Sequence, residues 1–473
     1  MLRKTKIICT LGPATDSEAA IGGLVGAGAN VFRLNMSHAR HDWVRDVVAR
    51  IRSACAAAGR EVAILMDLQG PSIRTSALAE PFQLLPGDRV EFFFGEALPT
   101  TPVAVTANYD FSGDVAEGNT VLVDNGVMHL RVDTISPGRI LTTVLTEGEL
   151  GSRRHVNLPG VRVGLPALTD KDRADIGLAG EMAVDFVAMS FVRSAQHILD
   201  LKVLLAENGS AARVVAKIED QEAVANLDGI IDTADAVMVA RGDLGIECHL
   251  EELPIIQRKI IQKCIAIGRP VIVATHMLES MTSSPVPTRA EVTDVANAAF
   301  EEADAVMLSG ETSVGDYPVR CVEALERIVR RTEAEGGADY AAAAVLISDK
   351  QKTARAAVDL ANALDDPTKL LVFTQHGTMA HHVAHFRPRR APIFAFCARK
   401  DVARTLHLSR AVAPFLMEEF LEDEPDRSIR AAIATLRECG LVEAGDRLVI
   451  LSDVLLKTAE GDERVSSILL REV

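Results

Sequence analysis

Ionisable residues recur at one kind of place in this sequence, the end of a short β-branched apolar run. Arg33, Asn35 and Ser37 follow the start of NVFRLN; Asp67 closes VAILMD, with Arg74 a few residues on; Lys217 and Glu219 end RVVAKIE. Further along, Arg241, Gly242 and Asp243 close DAVMVARGD, Thr275 and His276 follow PVIVA, and Ser309 and Glu311 follow DAVML. Both signs of charge are present. Carboxylates from two segments can hold a hard divalent cation, and neighbouring Lys and Arg can face an anion bridged to it. That chemistry suits phosphoryl transfer, where catalysis rests mainly on positioning and neutralising charge. Residue types alone therefore indicate a Mg²⁺-dependent site for a phosphorylated or carboxylated substrate.

Several of these residues also have plainer readings. Glu219 could sit at a helix amino terminus, where the dipole favours a carboxylate. Asp243 could cap a turn, and Ser309 with Glu311 could form a capping box. Lys217 and Arg33 resist such readings. A lysine emerging from an apolar strand is costly unless paired or functional, and Arg33 interrupts an otherwise apolar run.

The elements that must position these groups are legible as an alternation. Eight apolar runs, at 6–10, 30–35, 62–67, 184–190, 213–219, 235–243, 270–275 and 304–311, are separated by segments of helical period such as 37–58, 170–181, 251–267 and 287–301. Runs of that length suit parallel strands buried on both faces. Eight strands alternating with helices predict an α/β fold, a (β/α)₈ TIM barrel, whose site lies at the carboxy-terminal strand ends. Residues 75–166 interrupt the pattern with Pro- and Gly-punctuated β segments, and Asp124-Asn125-Gly126 is a hairpin signal. The expected organisation is a barrel of residues 1–74 and 167–338, an inserted all-β lid after strand 3 (75–166), and a carboxy-terminal α/β domain (339–473).

Composition narrows the partners. A net charge of −16 disfavours nucleic-acid binding, and one tryptophan, Trp43, offers little stacking surface. The seven cysteines include no CxxC pair, which suits a reducing compartment and gives no metal cage. The basic, then apolar amino terminus meets Gly12-Pro13 too soon for a signal peptide, and no stretch reaches membrane-spanning length. A cytoplasmic protein without membrane or nucleic-acid partners is expected.

In order along the chain, KTKIICTLGPA, NVFRLNMSH, MDLQGPSIRT, VNLPGV…LPALTDKD, AKIED, VMVARGDLGIE, VIVATHMLESM, PTRAEVTDVANA and DAVMLSGET resemble blocks of the pyruvate kinase family. That family moves a phosphoryl group from phosphoenolpyruvate to ADP, giving pyruvate and ATP. The resemblance implies that Glu219 and Asp243 hold Mg²⁺ or Mn²⁺, and that backbone N–H groups near Gly242 and Asp243, with Thr275, cradle the substrate carboxylate. It implies that Lys217 and Arg33 neutralise the phosphoryl group, and that Asn35, His38, Arg74 and Lys171 meet the nucleotide phosphates. Thr275 and a water chain through Ser309 would protonate the enolate. Asn35, Ser37, Asp67 and the Leu68 carbonyl match the family's K⁺ site. The inserted domain would act as a lid, and a homotetramer is implied.

The chain departs from the family pattern in three places. His276 stands where glutamine is common. Leu68-Gln69 is typical of K⁺-independent members, but Ser72 is neither the glutamate of the dependent kind nor the lysine that replaces the ion; partial K⁺ stimulation is expected. In the carboxy-terminal domain Thr374, Gly377 and Thr378 could hold an effector phosphate at a helix amino terminus. The expected loop arginine is missing, and Asp453, Glu460, Asp462 and Glu463 make the late loop acidic, so weak or absent fructose bisphosphate activation is expected. The basic HFRPRR (385–390) reads as a solvated helix end or subunit contact.

Overall fold

The computed structural model describes residues 2–95, 98–364, 368–417, 425–458 and 461–473. Eight short strands close into a barrel, each parallel to both neighbours. They are β1 (Lys6–Thr10), β2 (Val31–Asn35), β3 (Ala63–Asp67), β4 (Phe186–Met189), β5 (Arg213–Ile218), β6 (Ala236–Ala240), β7 (Val271–Ala274) and β8 (Ala305–Leu308). Alternation along each strand sorts the side chains. Ile8, Val31, Leu65, Val215, Ile272 and Met307 form the lumen cluster, while Ile7, Phe32, Ile64 and Val214 pack with the surrounding helices. The same alternation puts Arg33, Asp67 and Lys217 one step above Val31, Leu65 and Val215, so these charges crown the lumen at its carboxy-terminal end.

Local signals stop and start the helices as the sequence suggests. Thr169 and Asp172 form a capping box on the helix Asp170–Glu181, and Thr288 and Glu291 form another on Arg289–Phe300. The helix after β2 begins later than its periodicity suggests, at His41, because 36–40 make a turn at the rim.

After β3 the chain enters a seven-stranded sheet that begins at Ile73–Arg74 and returns through His155–Asn157, the two segments pairing antiparallel. Val90, Phe92, Phe111, Val121, Leu130 and Ile140 give this sheet its own core. Asp124, Asn125 and Gly126 all take positive φ between strands Thr120–Val123 and Met128–Ser136, a backbone that suits just these residue types. The last part of the chain forms a five-stranded sheet. Four parallel strands (412–416, 393–397, 368–373, 447–458) end in an antiparallel fifth, Gly461–Glu472.

This last unit plugs the amino-terminal end of the barrel, where Leu408 joins the lumen cluster. The HFRPRR segment lies in that seam. His385 and Arg387 are buried, and Arg387 makes a bidentate pair with Asp304 just before β8, at 3.0 and 2.6 Å. The reading of this segment as a solvated end is therefore wrong for these two residues. Its charge has a buried carboxylate within the same chain, a pattern that local composition does not reveal.

Candidate active site

Four ionisable side chains from three strands meet in one chain of contacts above the lumen. Arg33 Nε donates to Asp67 Oδ2 at 2.6 Å, and Arg33 Nη1 donates to Thr10 Oγ1 at 3.1 Å. Lys217 Nζ lies 3.3 Å from Asp67 Oδ1 and 2.7 Å from Glu219 Oε1, and donates to Ser190 Oγ at 2.7 Å. Ser190 passes that bond on to the Leu68 carbonyl at 2.8 Å. Glu219 Oε2 accepts the Phe191 N–H at 2.5 Å. Lys217 is 11% exposed and the two carboxylates 1%, so each charge depends on the others for compensation.

The protonation balance follows from this crowding. Burial opposes the charge on Lys217, but Asp67, Glu219 and Asp243 outweigh it and hold the ammonium firmly protonated. Asp67 is buried too, yet Lys217 and Arg33 keep its carboxyl below the ordinary range. Glu219 goes the other way. Burial and the neighbouring Asp243 carboxylate push it up to about 7, against the pull of Lys217. A carboxylate pair in that condition fits a divalent cation, whose charge would relieve both. Among the described residues no three His, Cys, Asp or Glu side chains gather to hold an ion by themselves. Two carboxylates completed by substrate and water oxygens is the usual arrangement for Mg²⁺.

The opposite side of the rim offers hydrogen-bond donors. The helix Arg241–Glu247 starts directly from β6, and the Gly242 N–H donates to Thr275 Oγ1 at 2.9 Å. A Cβ on Gly242 would stand 3.2 Å from that oxygen, so a side chain here would crowd Thr275. Arg241 does not face the rim cavity, although its sequence position suggests it. Its guanidinium folds back onto the carbonyls of Ala274, Thr275 and His276 and pairs with Asp294 at 2.7 Å, bracing the loop that carries Thr275.

Ser309 and Glu311 make half of the capping box the sequence allows. Glu311 Oε2 accepts the Ser309 N–H at 2.6 Å and Oε1 the Leu278 N–H at 3.0 Å, but Ser309 Oγ is buried with no hydrogen-bond partner among the described residues. The remaining predicted groups are exposed or bonded elsewhere, although Asn35 stands opposite Asp67 in the β2–β3 register. Asn35 Oδ1 accepts the Ser37 N–H at 3.2 Å, and Ser37 and His38 are exposed. Arg74 is exposed at the root of the inserted sheet, bonded to the Arg153 carbonyl at 3.3 Å. Lys171 is engaged with Asp175 at 2.6 Å, a carboxylate shared with His41. The acidic residues Asp453, Glu460, Asp462 and Glu463 lie outside the residues whose side chains are described.

Sequence reasoning missed Ser190 and Phe191. Ser190 ends the VDFVAMS run as the charged residues end theirs, which is the only signal that could have marked it. Phe191 holds a positive φ of 54°, which no local sequence feature announces.

A (β/α)₈ barrel whose rim sets buried carboxylates beside a lysine and an arginine defines a class: a barrel enzyme handling an anion next to a cation. Comparison with known proteins narrows that class. The family model for the pyruvate kinase barrel domain matches residues 2–322, and that for the pyruvate kinase alpha/beta domain matches residues 351–462. The chain is 41% identical to a pyruvate kinase of Geobacillus stearothermophilus over 96% of its own length and 78% of the relative's. It is 40% identical to plastidial pyruvate kinase 2 of Arabidopsis thaliana over 95% and 78%. The crystal structure of a pyruvate kinase from Cryptosporidium parvum superposes with a TM-score of 0.91 at 32% identity, covering 98% of this chain and 96% of that one. The chain belongs to the pyruvate kinase family.

Proposed function

We propose that this chain transfers the phosphoryl group of phosphoenolpyruvate to ADP, giving pyruvate and ATP, with the rim cluster as its active site. The observation that carries the assignment to these residues is the contact chain Arg33–Asp67–Lys217–Glu219, with Asp243 close enough to raise the Glu219 carboxyl. Glu219 and Asp243 would hold Mg²⁺ or Mn²⁺, which supplies charge neutralisation to the phosphoryl and enolate oxygens when bound. Lys217 and Arg33 face the phosphoryl group, and both are fixed in place by Asp67 rather than left to search. The N–H groups at the start of the 241–247 helix, with Thr275, receive the substrate carboxylate.

Protonation of the enolate is assigned to the Thr275 hydroxyl. Its oxygen accepts from Gly242, which leaves its own proton free to donate. Ser309 Oγ, buried and without a protein partner, suits a relay water behind it. Asn35, His38, Arg74 and Lys171 would meet the ADP phosphates, Lys171 by exchanging Asp175 for the nucleotide. Closure of the 75–166 domain would exclude water from the phosphoryl donor. Asn35, Ser37, Asp67 and the Leu68 carbonyl would take a K⁺ ion.

No helix among the described residues is long and apolar enough to cross a membrane. A cytoplasmic homotetramer is the proposed state; strongly exposed Leu250 and Ile255 support a subunit contact on that face. Pyruvate formation coupled to lactate dehydrogenase tests the activity. Product that requires both ADP and Mg²⁺ is expected; none with both present would refute the reading.

A further inference from the structure

Between the root of the inserted sheet and the barrel lies a cleft of about 400 Å³ that none of the proposed catalytic steps uses. Its size is within the range of small-molecule sites. One wall is the returning strand His155–Asn157 with Val161 and Val163. The other is the barrel rim, with Phe191 after β4, Glu222 after β5 and Glu247 at the end of the 241–247 helix.

The polar groups in this cleft are unbalanced. Asn157 is 5% exposed; its Nδ2 donates to Glu247 Oε1 at 2.8 Å, while its Oδ1 is buried with no hydrogen-bond partner among the described residues. A buried amide oxygen without a donor is unfavourable, because it has lost its water and gained nothing in return. Carboxylates outnumber the available cations. Arg193 is committed to the Val163 and Leu165 carbonyls at 2.6 and 2.8 Å, and Arg162 is mostly exposed, 3.7 Å from Glu222. Burial, with Asp220 and Asp243 adding to it, also raises the Glu247 carboxyl to about 7, against the Asn157 bond. Acceptors are in excess: Ser72, His155 and Gln221 complete the polar lining, burial holds the His155 imidazole below its ordinary value, and the remaining lining residues are apolar.

We propose that this cleft binds a small organic cation with an apolar body, an amine or amidine, which donates to Asn157 Oδ1 and Glu247 and lays its apolar part against Phe191 and Val161. Occupancy has a route to the reaction. The Phe191 N–H holds Glu219, and the His155–Asn157 strand carries the inserted domain, so a ligand wedged between them shifts substrate half-saturation. This coupling rests on the proposed activity; the binding does not.

Calorimetric titration of the full chain with benzamidine tests the site, with neutral benzamide and anionic benzoate as controls. Benzamidine is expected to bind at millimolar concentration or below, benzamide about tenfold more weakly or worse, and benzoate not at all. Glu247→Gln and Asn157→Leu each weaken benzamidine by about tenfold or more, and Val161→Phe, which fills the cleft without touching its polar groups, blocks it. No heat of binding, binding unchanged in all three folded variants, or competition by oxalate that weakens benzamidine without limit, rather than reaching the plateau that two coupled sites give, would each overturn the site. A phosphoenolpyruvate half-saturation that benzamidine leaves unchanged would overturn the coupling alone.

Discussion

Replacing Lys217 by methionine keeps a similar shape and removes one charge, so it isolates what the ammonium does. In the native arrangement Nζ serves three groups at once, Asp67 at 3.3 Å, Glu219 at 2.7 Å and Ser190 at 2.7 Å. Without it Asp67 keeps Arg33, but Glu219 keeps only the Phe191 N–H beside an already repelling Asp243. Removing one partner of a buried ion cluster costs about 3–5 kcal/mol, and the surviving bonds put this case at the lower end. That loss should lower the melting temperature of the metal-free protein, and added Mn²⁺ should restore part of it, because the ion then replaces the missing charge. Catalysis has no such substitute. Removing one preorganised group from a developing anion lowers kcat by about 10²–10³, and a full charge belongs at the upper end. The assay is kcat at saturating phosphoenolpyruvate and ADP, with Mn²⁺ affinity followed by electron paramagnetic resonance. In this variant kcat should fall about a thousandfold while Mn²⁺ binds at least as tightly. A folded variant with kcat within about tenfold of the native enzyme would refute the role of Lys217.

Arg241→Ala releases the 274–276 carbonyls, so Thr275 loses its placement; kcat should fall about a hundredfold, and Arg241→Lys should recover little, since one ammonium cannot serve four acceptors. His385 is buried and its imidazole is held down to about 4, chiefly by burial and then by Arg387, from an unfolded value near 6.5. Its contribution is therefore complete above about pH 6.5 and is lost as pH falls toward 4, to a total of about 3 kcal/mol; His385→Gln should flatten urea-denaturation stability across that window. With a neutral Ser72 where a lysine would replace the ion's charge, activity should be higher in K⁺ than in tetramethylammonium at matched ionic strength, and equal rates would count against a retained ion. Fructose bisphosphate should change the rate at subsaturating phosphoenolpyruvate little or not at all; a large drop in half-saturation would show that the loop at 374–378 binds it without the missing arginine.

Much of this architecture was legible because a closed parallel barrel buries its strands on both faces. Each strand then reads as an apolar run, and the polar residue that ends it stands at the rim. That one rule found Arg33, Asp67, Lys217 and Glu219, which the structure joins in a single contact chain. It failed where position and direction part company. Arg241 stands at a strand end but turns back to hold carbonyls, and Ser190 stands at another without a charge to mark it. Pairings between distant segments were out of reach for a different reason. Arg387 meets Asp304 across the barrel seam and Asn157 meets Glu247 across the hinge, and neither partner leaves a trace in the other's local sequence.

Phosphorus NMR of the purified chain with phosphoenolpyruvate, ADP and Mg²⁺, run beside Glu219→Gln, follows the transferred group itself. In the native sample the phosphoenolpyruvate signal should be replaced by that of the γ-phosphate of ATP, with the rate falling steeply in the variant. Inorganic phosphate in place of ATP, or a variant as fast as the native chain, would contradict the proposed transfer.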